Sequence, residues 1–199
     1  MDDAELDPDP VAQLAAWFDD ALRAGIRDPS AMVLATAGAD GRARGRHVLL
    51  KGLDADGLRF FTSYDSIKAR QLSENPWASV TFPWSTMAPA RQVIVEGEVE
   101  RLPADDSDAY FATRDRGSQL GAWASNQSQA IPDRVWLEDR VAELELRFPD
   151  VVPRPPRWGG YVLRPEIVEL WEGRPDRLHD RFRYAKQPDG AWSIVRLSP

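Results

Sequence analysis

The chain has 199 residues, only two histidines and a formal net charge of −7. It holds no cysteine, which excludes disulfides, thiolate metal sites and cysteine nucleophiles. The acidic balance argues against general nucleic-acid binding, no apolar run is long enough to span a bilayer, and the acidic start MDDAELDPDP is unlike a signal peptide, so a cytoplasmic protein without a membrane partner is expected.

The first predicted element is a helix in DPDPVAQLAAWFDDALRAG. Pro10 suits its first turn, Val11, Leu14, Ala15, Phe18 and Leu22 follow helical spacing, and Gly25 can end it. Strand-like segments follow: AMVLATA before the turn GADG, RHVLLKGL before DADG, then LRFFTSY. SIKARQLSEN reads as a short helix. WASVTFPW and RQVIVEGEVERL read as strands, and Val93, Val95 and Val99 of the second alternate with Gln92, Glu96, Glu98 and Glu100, as a half-buried strand requires. A helix is expected from about Pro103 to Arg114, and another in PDRVWLEDRVAELELRF with Leu137, Val141, Leu144 and Phe148 on one stripe. After the stiff connector PRPPRWGG come three expected strands, YVLRPEIVELWEG, RLHDRFRYA and AWSIVRL. Short turns between successive strands favour antiparallel pairing, hence a barrel or sandwich, and no repeat or linker divides residues 1–199 into more than one domain. No glycine-rich strand-to-helix loop supports a dinucleotide or P-loop fold.

Three groups of residues carry potential chemistry. In a strand, residues two apart share a face, so Arg177, His179 and Arg181 are expected to project together. They form either a row that receives an anion or π-system, or a charged sheet edge that blocks pairing. Tyr110 and Arg114 are four apart on one expected helix, with Ser118 a turn further if the helix continues and Gly117 near its end. Hydroxyl, guanidinium and hydroxyl suit a phosphate, although an ordinary surface helix has the same spacing. Arg46, Lys51 and Lys68 supply cations, Thr62 and Ser66 hydroxyls, and Ser66 can cap the helix that carries Lys68. Scattered surface charge is the alternative there. Arg46 and Lys51 are five apart, so a regular strand would send them to opposite faces unless it bulges or they reach different parts of a ligand. Two histidines without cysteine argue against a zinc site, and no metal is expected. Only three of the 25 basic residues are lysines, Lys51, Lys68 and Lys186, so each lysine is mildly informative. Anion cradles and aromatics without intrinsic redox or nucleophilic groups suit a protein that relies on a phosphorylated organic cofactor.

From the first helix to Pro199 the chain resembles the pyridoxamine/pyridoxine 5′-phosphate oxidase family. The resemblance rests on AMVLAT, RHVLLKG, FFTSYDSIKARQL, FPW, RQVIVEG, RDRGSQLGAWASNQS, WGGYVL, VELWEGRPDRLHDR and RLSP, in that order. It implies a mainly β protein with flanking helices, an antiparallel split β-barrel that works as a homodimer with FMN held where the subunits meet. It implies FMN binding by Arg46, Lys51, Phe61, Thr62, Lys68, Gln92, Gln127, Ser128, Trp171 and Arg181. It places Lys51, Tyr110, Arg114 and Ser118 on the substrate phosphate, and Arg177 and His179 over the substrate ring at the reaction edge. The implied reaction oxidises pyridoxamine or pyridoxine 5′-phosphate to pyridoxal 5′-phosphate, by hydride transfer from C4′ to flavin N5, and O2 then reoxidises the flavin to give H2O2. An arginine is a poor base, so Arg177 is expected to act electrostatically.

The resemblance also marks departures. Ile67 stands where many members have an arginine, which implies FMN binding weaker by about 1.5–3 kcal/mol if nothing compensates. STMAPARQ carries two extra residues, and the basic, aromatic arm that often precedes the first helix and helps close the site is expected to be missing. Three other activities compete. A phenazine-biosynthesis-type flavin oxidase would usually lack the lysine of LLK and much of RDRGSQLGAWAS; the others are a non-catalytic FMN- or pyridoxal phosphate-binding protein and a flavin reductase.

Overall fold

The computed structural model describes Met1 and residues 3–199. Helix α1 (Pro10–Arg23) starts where Asp9 accepts a hydrogen bond from the Val11 N–H and Pro10 occupies the first turn. Its buried stripe is Leu14, Trp17 and Ala21, whereas Leu22 is exposed. The apolar face is therefore turned from the Leu14–Phe18–Leu22 line that hydrophobicity alone suggests, because Trp17 offers the larger surface to the sheet.

The strands are β1 (Ala31–Ala37), β2 (Ala43–Leu49), β3 (Gly52–Asp54) and β4 (Gly57–Ser63). Helix α2 (Ile67–Glu74) precedes β5 (Trp77–Trp84) and β6 (Arg91–Arg101). Three helices follow, α3 (Ala104–Thr113), α4 (Arg116–Ala124) and α5 (Arg134–Arg147). The chain ends in β7 (Trp158–Glu172), β8 (Asp180–Lys186) and β9 (Trp192–Arg196). RHVLLKGL is thus not one strand: it breaks at Leu50 and Lys51 between β2 and β3.

The sheet order is β2-β1-β5-β6-β7-β4-β3, with β8 on β7 and β9 on β8, and each pairing is antiparallel. The long β7 produces the split. Its first half, Trp158 to Leu163, pairs with β4, its second half, Ile167 to Glu172, pairs with β8, and β6 runs along its other edge. The curled sheet encloses Met32, Leu34, Phe60, Val80, Phe82 and Leu163, all fully buried. The fold is mainly β, an antiparallel split β-barrel with flanking helices. A second apolar cluster of Phe111, Leu120, Ala124, Leu144, Val152 and Trp158 fixes α3, α4 and α5 to the start of β7. No helix among the described residues is long and apolar enough to cross a membrane.

The register of β6 against β7 shifts between Glu96 and Gly97, a bulge that helps both long strands to curl. A Cβ at Gly97 would lie 1.8 Å from the carbonyl oxygen of Arg164. Gly97→Ala should therefore destabilise the protein by about 1–3 kcal/mol, read as a lower denaturant midpoint with unchanged slope.

Candidate active site

A cavity of about 450 Å³ opens between β4, the start of α2, and α3–α4. Its lining includes Lys51, Phe61, Thr62, Lys68, Tyr110, Arg114, Ser118 and Gln127. Three cations line it and no acidic residue does, in a chain whose net charge is −7.

Lys68 enters from the first turn of α2. That start is set by Ser66, whose hydroxyl accepts from the Ala69 N–H at 3.4 Å and donates to the Ser63 carbonyl at 2.7 Å. The Lys68 ammonium donates to Thr62 Oγ1 and Gln127 Oε1, both at 3.0 Å, and the Thr62 hydroxyl donates to Gln127 Oε1 at 2.9 Å. All these acceptors are neutral. Burial, and secondarily the charge of Arg46, hold the Lys68 pKa down to about 8. Lys51 lies in the break between β2 and β3, where its N–H bonds the Arg59 carbonyl at 2.8 Å and its side chain reaches the cavity. The opposite-face difficulty with Arg46 disappears, because no regular strand joins the two positions.

Tyr110, Arg114 and Ser118 meet at the cavity, but not on one helix. Asp115 ends α3 by capping α4, its carboxylate accepting from the Ser118 N–H at 2.8 Å. Arg114 is the C-cap of α3, Ser118 lies in the first turn of α4, and Gly117 is the second residue of α4 rather than the end of the helix that carries Tyr110. Gln119 ties the two helices by donating to the Phe111 carbonyl at 3.0 Å. Arg114 rests on aromatic faces, its guanidinium carbon 4.6 Å from the Trp158 ring centroid and 5.6 Å from that of Phe111. Its Nη1 is buried with no partner among the described residues, and burial lowers its pKa against the raising influence of Tyr110 and Asp115. A buried donor of this kind calls for an acceptor from outside the chain.

Phe61 stacks on Tyr110 at 3.9 Å and on Trp158 at 5.5 Å, nearly parallel to both. Gly160, opposite Phe61 in the ladder, permits that stack, since a Cβ there would lie 2.7 Å from the Phe61 ring. Sequence reasoning missed Trp158 as a cavity residue. Its only signal was the tryptophan of RWGG, which core packing explains equally well. Arg46 is half-buried and outside the cavity lining, though its charge acts on Lys68, and Ile67 begins α2, where its N–H meets the Ser128 hydroxyl at 3.4 Å. Ser128 has a φ of 72° at the loop after α4.

The remaining expected site residues gather elsewhere on the chain. Gln92, Trp171 and Arg181 stand in one row across β6, β7 and β8. The His179 ring lies 4.6 Å from Trp171, and its Nδ1 accepts from the Arg174 N–H at 3.2 Å. The expected single face of Arg177, His179 and Arg181 is not formed. Arg177 sits in a tight turn, Pro175–Arg177, with Asp176 and Arg177 at φ 56° and 61°, and β8 begins only at Asp180. Strand alternation therefore cannot relate the three. Arg181 is bound by Glu169 at 2.7 Å and by the Ser198 carbonyl at 3.0 Å, whereas Arg177 is exposed and forms no ion pair among the described residues. The two groups mark opposite ends of β7: Gly160, opposite Phe61, and Trp171, opposite Gln92, are separated by about 36 Å of curled strand contour at 3.3 Å per residue.

The sequence profile described as pyridoxamine 5′-phosphate oxidase matches residues 18–148. That described as the pyridoxine 5′-phosphate oxidase C-terminal dimerisation region matches residues 158–199. The chain belongs to the pyridoxamine 5′-phosphate oxidase family. It is 52% identical over 199 residues to pyridoxine/pyridoxamine 5′-phosphate oxidase 1 of Ralstonia nicotianae, covering all of this chain and 93% of the relative. A pyridoxine/pyridoxamine 5′-phosphate oxidase of Rubrobacter xylanophilus is 55% identical over 194 residues, 97% of this chain and 88% of the relative. Among solved structures, PhzG of Burkholderia lata in complex with tetrahydrophenazine-1-carboxylic acid superposes with a TM-score of 0.92 at 34% identity, over 98% of this chain and 95% of that one. A pyridoxamine 5′-phosphate oxidase-related, FMN-binding protein of Nostoc punctiforme shares the fold, with a TM-score of 0.76 at 21% identity over 98% of this chain and 100% of that one.

The Lys68 environment makes a testable statement about the ligand-free protein. Its folded pKa of about 8 lies below the unfolded value of about 10.4. Between these values the unfolded chain binds the additional proton, so Lys68 makes stability rise with pH across that window. Thermal midpoints from pH 7 to 10 should rise relative to those of Lys68→Met, in which this contribution is gone.

Proposed function

We propose that residues 1–199 act as a single split-barrel domain that oxidises pyridoxamine or pyridoxine 5′-phosphate with FMN, as a homodimer. The observation that carries this reading is the acid-free cavity with Lys51, Lys68 and Arg114 around an aromatic wall. Such a cavity receives phosphorylated aromatic rings, one as cofactor and one as substrate. The neutral acceptors around Lys68 and the orphaned Arg114 donor fit phosphate oxygens in particular. The match to a dimerisation region and the names of relatives identical at half or more of their positions support it further.

On this reading Arg46, Lys51, Phe61, Thr62, Lys68, Gln127 and Ser128 hold FMN from one subunit. Gln92, Trp171 and Arg181, which do not line the cavity of their own chain, complete its site from a second copy, a reading that the match to a dimerisation region supports. Tyr110, Arg114 and Ser118, with Lys51, take the substrate phosphate. Arg177 and His179 of the second copy cover the substrate ring. The chemistry that FMN supplies when bound is acceptance of a hydride from C4′ at N5 and return of the electrons to O2 as H2O2. The chain's own contribution is orientation and electrostatics. Arginine is a poor base, so Arg177 orients the substrate and stabilises developing negative charge. The aromatic wall of Phe61, Tyr110 and Trp158 keeps water from one side of the cavity.

The 34%-identical PhzG supports a second reading, oxidation of a phenazine precursor. One assay separates the two. Protein reconstituted with FMN should convert pyridoxamine 5′-phosphate in air to pyridoxal 5′-phosphate and peroxide, and absence of both products overturns the proposal. Arg114→Ala should raise KM about 10- to 100-fold, the equivalent of roughly 1.5–3 kcal/mol, with FMN affinity unchanged. Arg177→Ala should lower kcat more than FMN retention. When the two variants are mixed and allowed to exchange subunits, each heterodimer regains one intact site, so about a quarter of wild-type activity should return. No recovery would place both arginines on the same chain's site.

A further inference from the structure

Thr36 on β1 and Gln71 on α2 are polar side chains inside an apolar setting, only 2% and 5% exposed. Thr36 continues the inward row of Met32 and Leu34, both fully buried. With Arg46 the two close a network. Arg46 Nη1 donates to the Leu34 carbonyl at 3.1 Å and to Thr36 Oγ1 at 2.7 Å, and Nη2 donates to Gln71 Oε1 at 3.1 Å. The Thr36 hydroxyl donates to the same Gln71 oxygen at 2.8 Å. An arginine can only donate, so the Gln71 amide has one orientation. Its Nε2 is then buried with no partner among the described residues. Leucine would fill the same space without stranding a donor, so packing does not account for the amide.

The network has a second property. Each acceptor on Arg46 is neutral, so the guanidinium is aimed without being neutralised. A carboxylate at position 71 would aim it equally well and cancel its charge. Gln71 lies one turn beyond Lys68 on α2, so the same amide sets the position of one cation against the helix that carries another. The depressed Lys68 pKa, to which Arg46 contributes, is consistent with two adjacent cations that share no acid.

We propose that Gln71 and Thr36 are positioning residues that hold Arg46 toward the flavin phosphate with its charge intact, so that preference for FMN over riboflavin depends on them. This rests on the assignment of Arg46 to FMN made above and narrows it to the flavin phosphate, the anionic part of that ligand. The test is titration of the apoprotein with FMN and with riboflavin, followed by flavin fluorescence. It compares wild type with Gln71→Leu, Gln71→Glu, Thr36→Val, Arg46→Ala and the double variant Arg46→Ala/Gln71→Leu. Gln71→Leu and the near-isosteric Thr36→Val should weaken FMN about tenfold and leave riboflavin within about twofold. Gln71→Glu should weaken FMN further. In the Arg46→Ala background, Gln71→Leu should add less than about twofold, because its effect runs through the arginine. Equal losses for both flavins, an additive loss in the double variant, or unchanged FMN affinity would overturn the role. If Arg46→Ala abolishes the FMN preference while Gln71→Leu and Thr36→Val retain it, only the positioning role falls. If wild type binds neither flavin, or Arg46→Ala keeps the preference, the flavin-phosphate assignment falls and takes the positioning role with it.

Discussion

An ammonium or guanidinium taken out of water needs either an acid beside it or a set of neutral acceptors and π faces, and this protein uses the second arrangement for Lys68 and Arg114 at the cavity and for Arg46, whose charge acts on Lys68. Lys68 is held by a hydroxyl and an amide oxygen, Arg114 by the faces of Trp158 and Phe111, and Arg46 by a carbonyl, a hydroxyl and an amide. Each is oriented, and none is discharged. Desolvation without compensation disfavours the charged form, which is why all three pKa values move down. An anion brought close to these cations would offset that penalty.

The opposite arrangement marks the C-terminal edge of the sheet. There Arg174 and Arg196 meet Asp180, and Arg181 and Arg183 meet Glu169. These pairs set the local geometry around Trp171 and His179 and leave Arg177 as an exposed cation on a left-handed turn. This edge and the β4 side of the cavity pair with opposite ends of β7, which joins β4 and β8 in one sheet.

Much of the fold was legible because strand alternation and capping are local. AMVLATA, WASVTFPW and AWSIVRL became strands, and Ser66 caps α2 as its spacing suggested. The errors came where a local rule met a competing one. Helical spacing linked Tyr110, Arg114 and Ser118 correctly to one cavity but for the wrong reason, since Asp115 caps a new helix and the three residues converge across a corner. Alternation failed at Arg177 because Pro175 and the two left-handed residues after it make a turn.

The residue types by themselves determined that this chain would lack thiol chemistry and would build an antiparallel sheet, and they suggested anion sites, because these depend on composition and on periods of two and 3.6 residues. The resemblance to a family added the named site residues. Only the tertiary structure decided which cations stay uncompensated, that Trp158 supports Arg114, that Gln71 and Thr36 grip Arg46, and that the expected site residues fall at the two ends of β7. Those outcomes depend on contacts between segments far apart in the chain, and no local pattern of spacing encodes the distance between them.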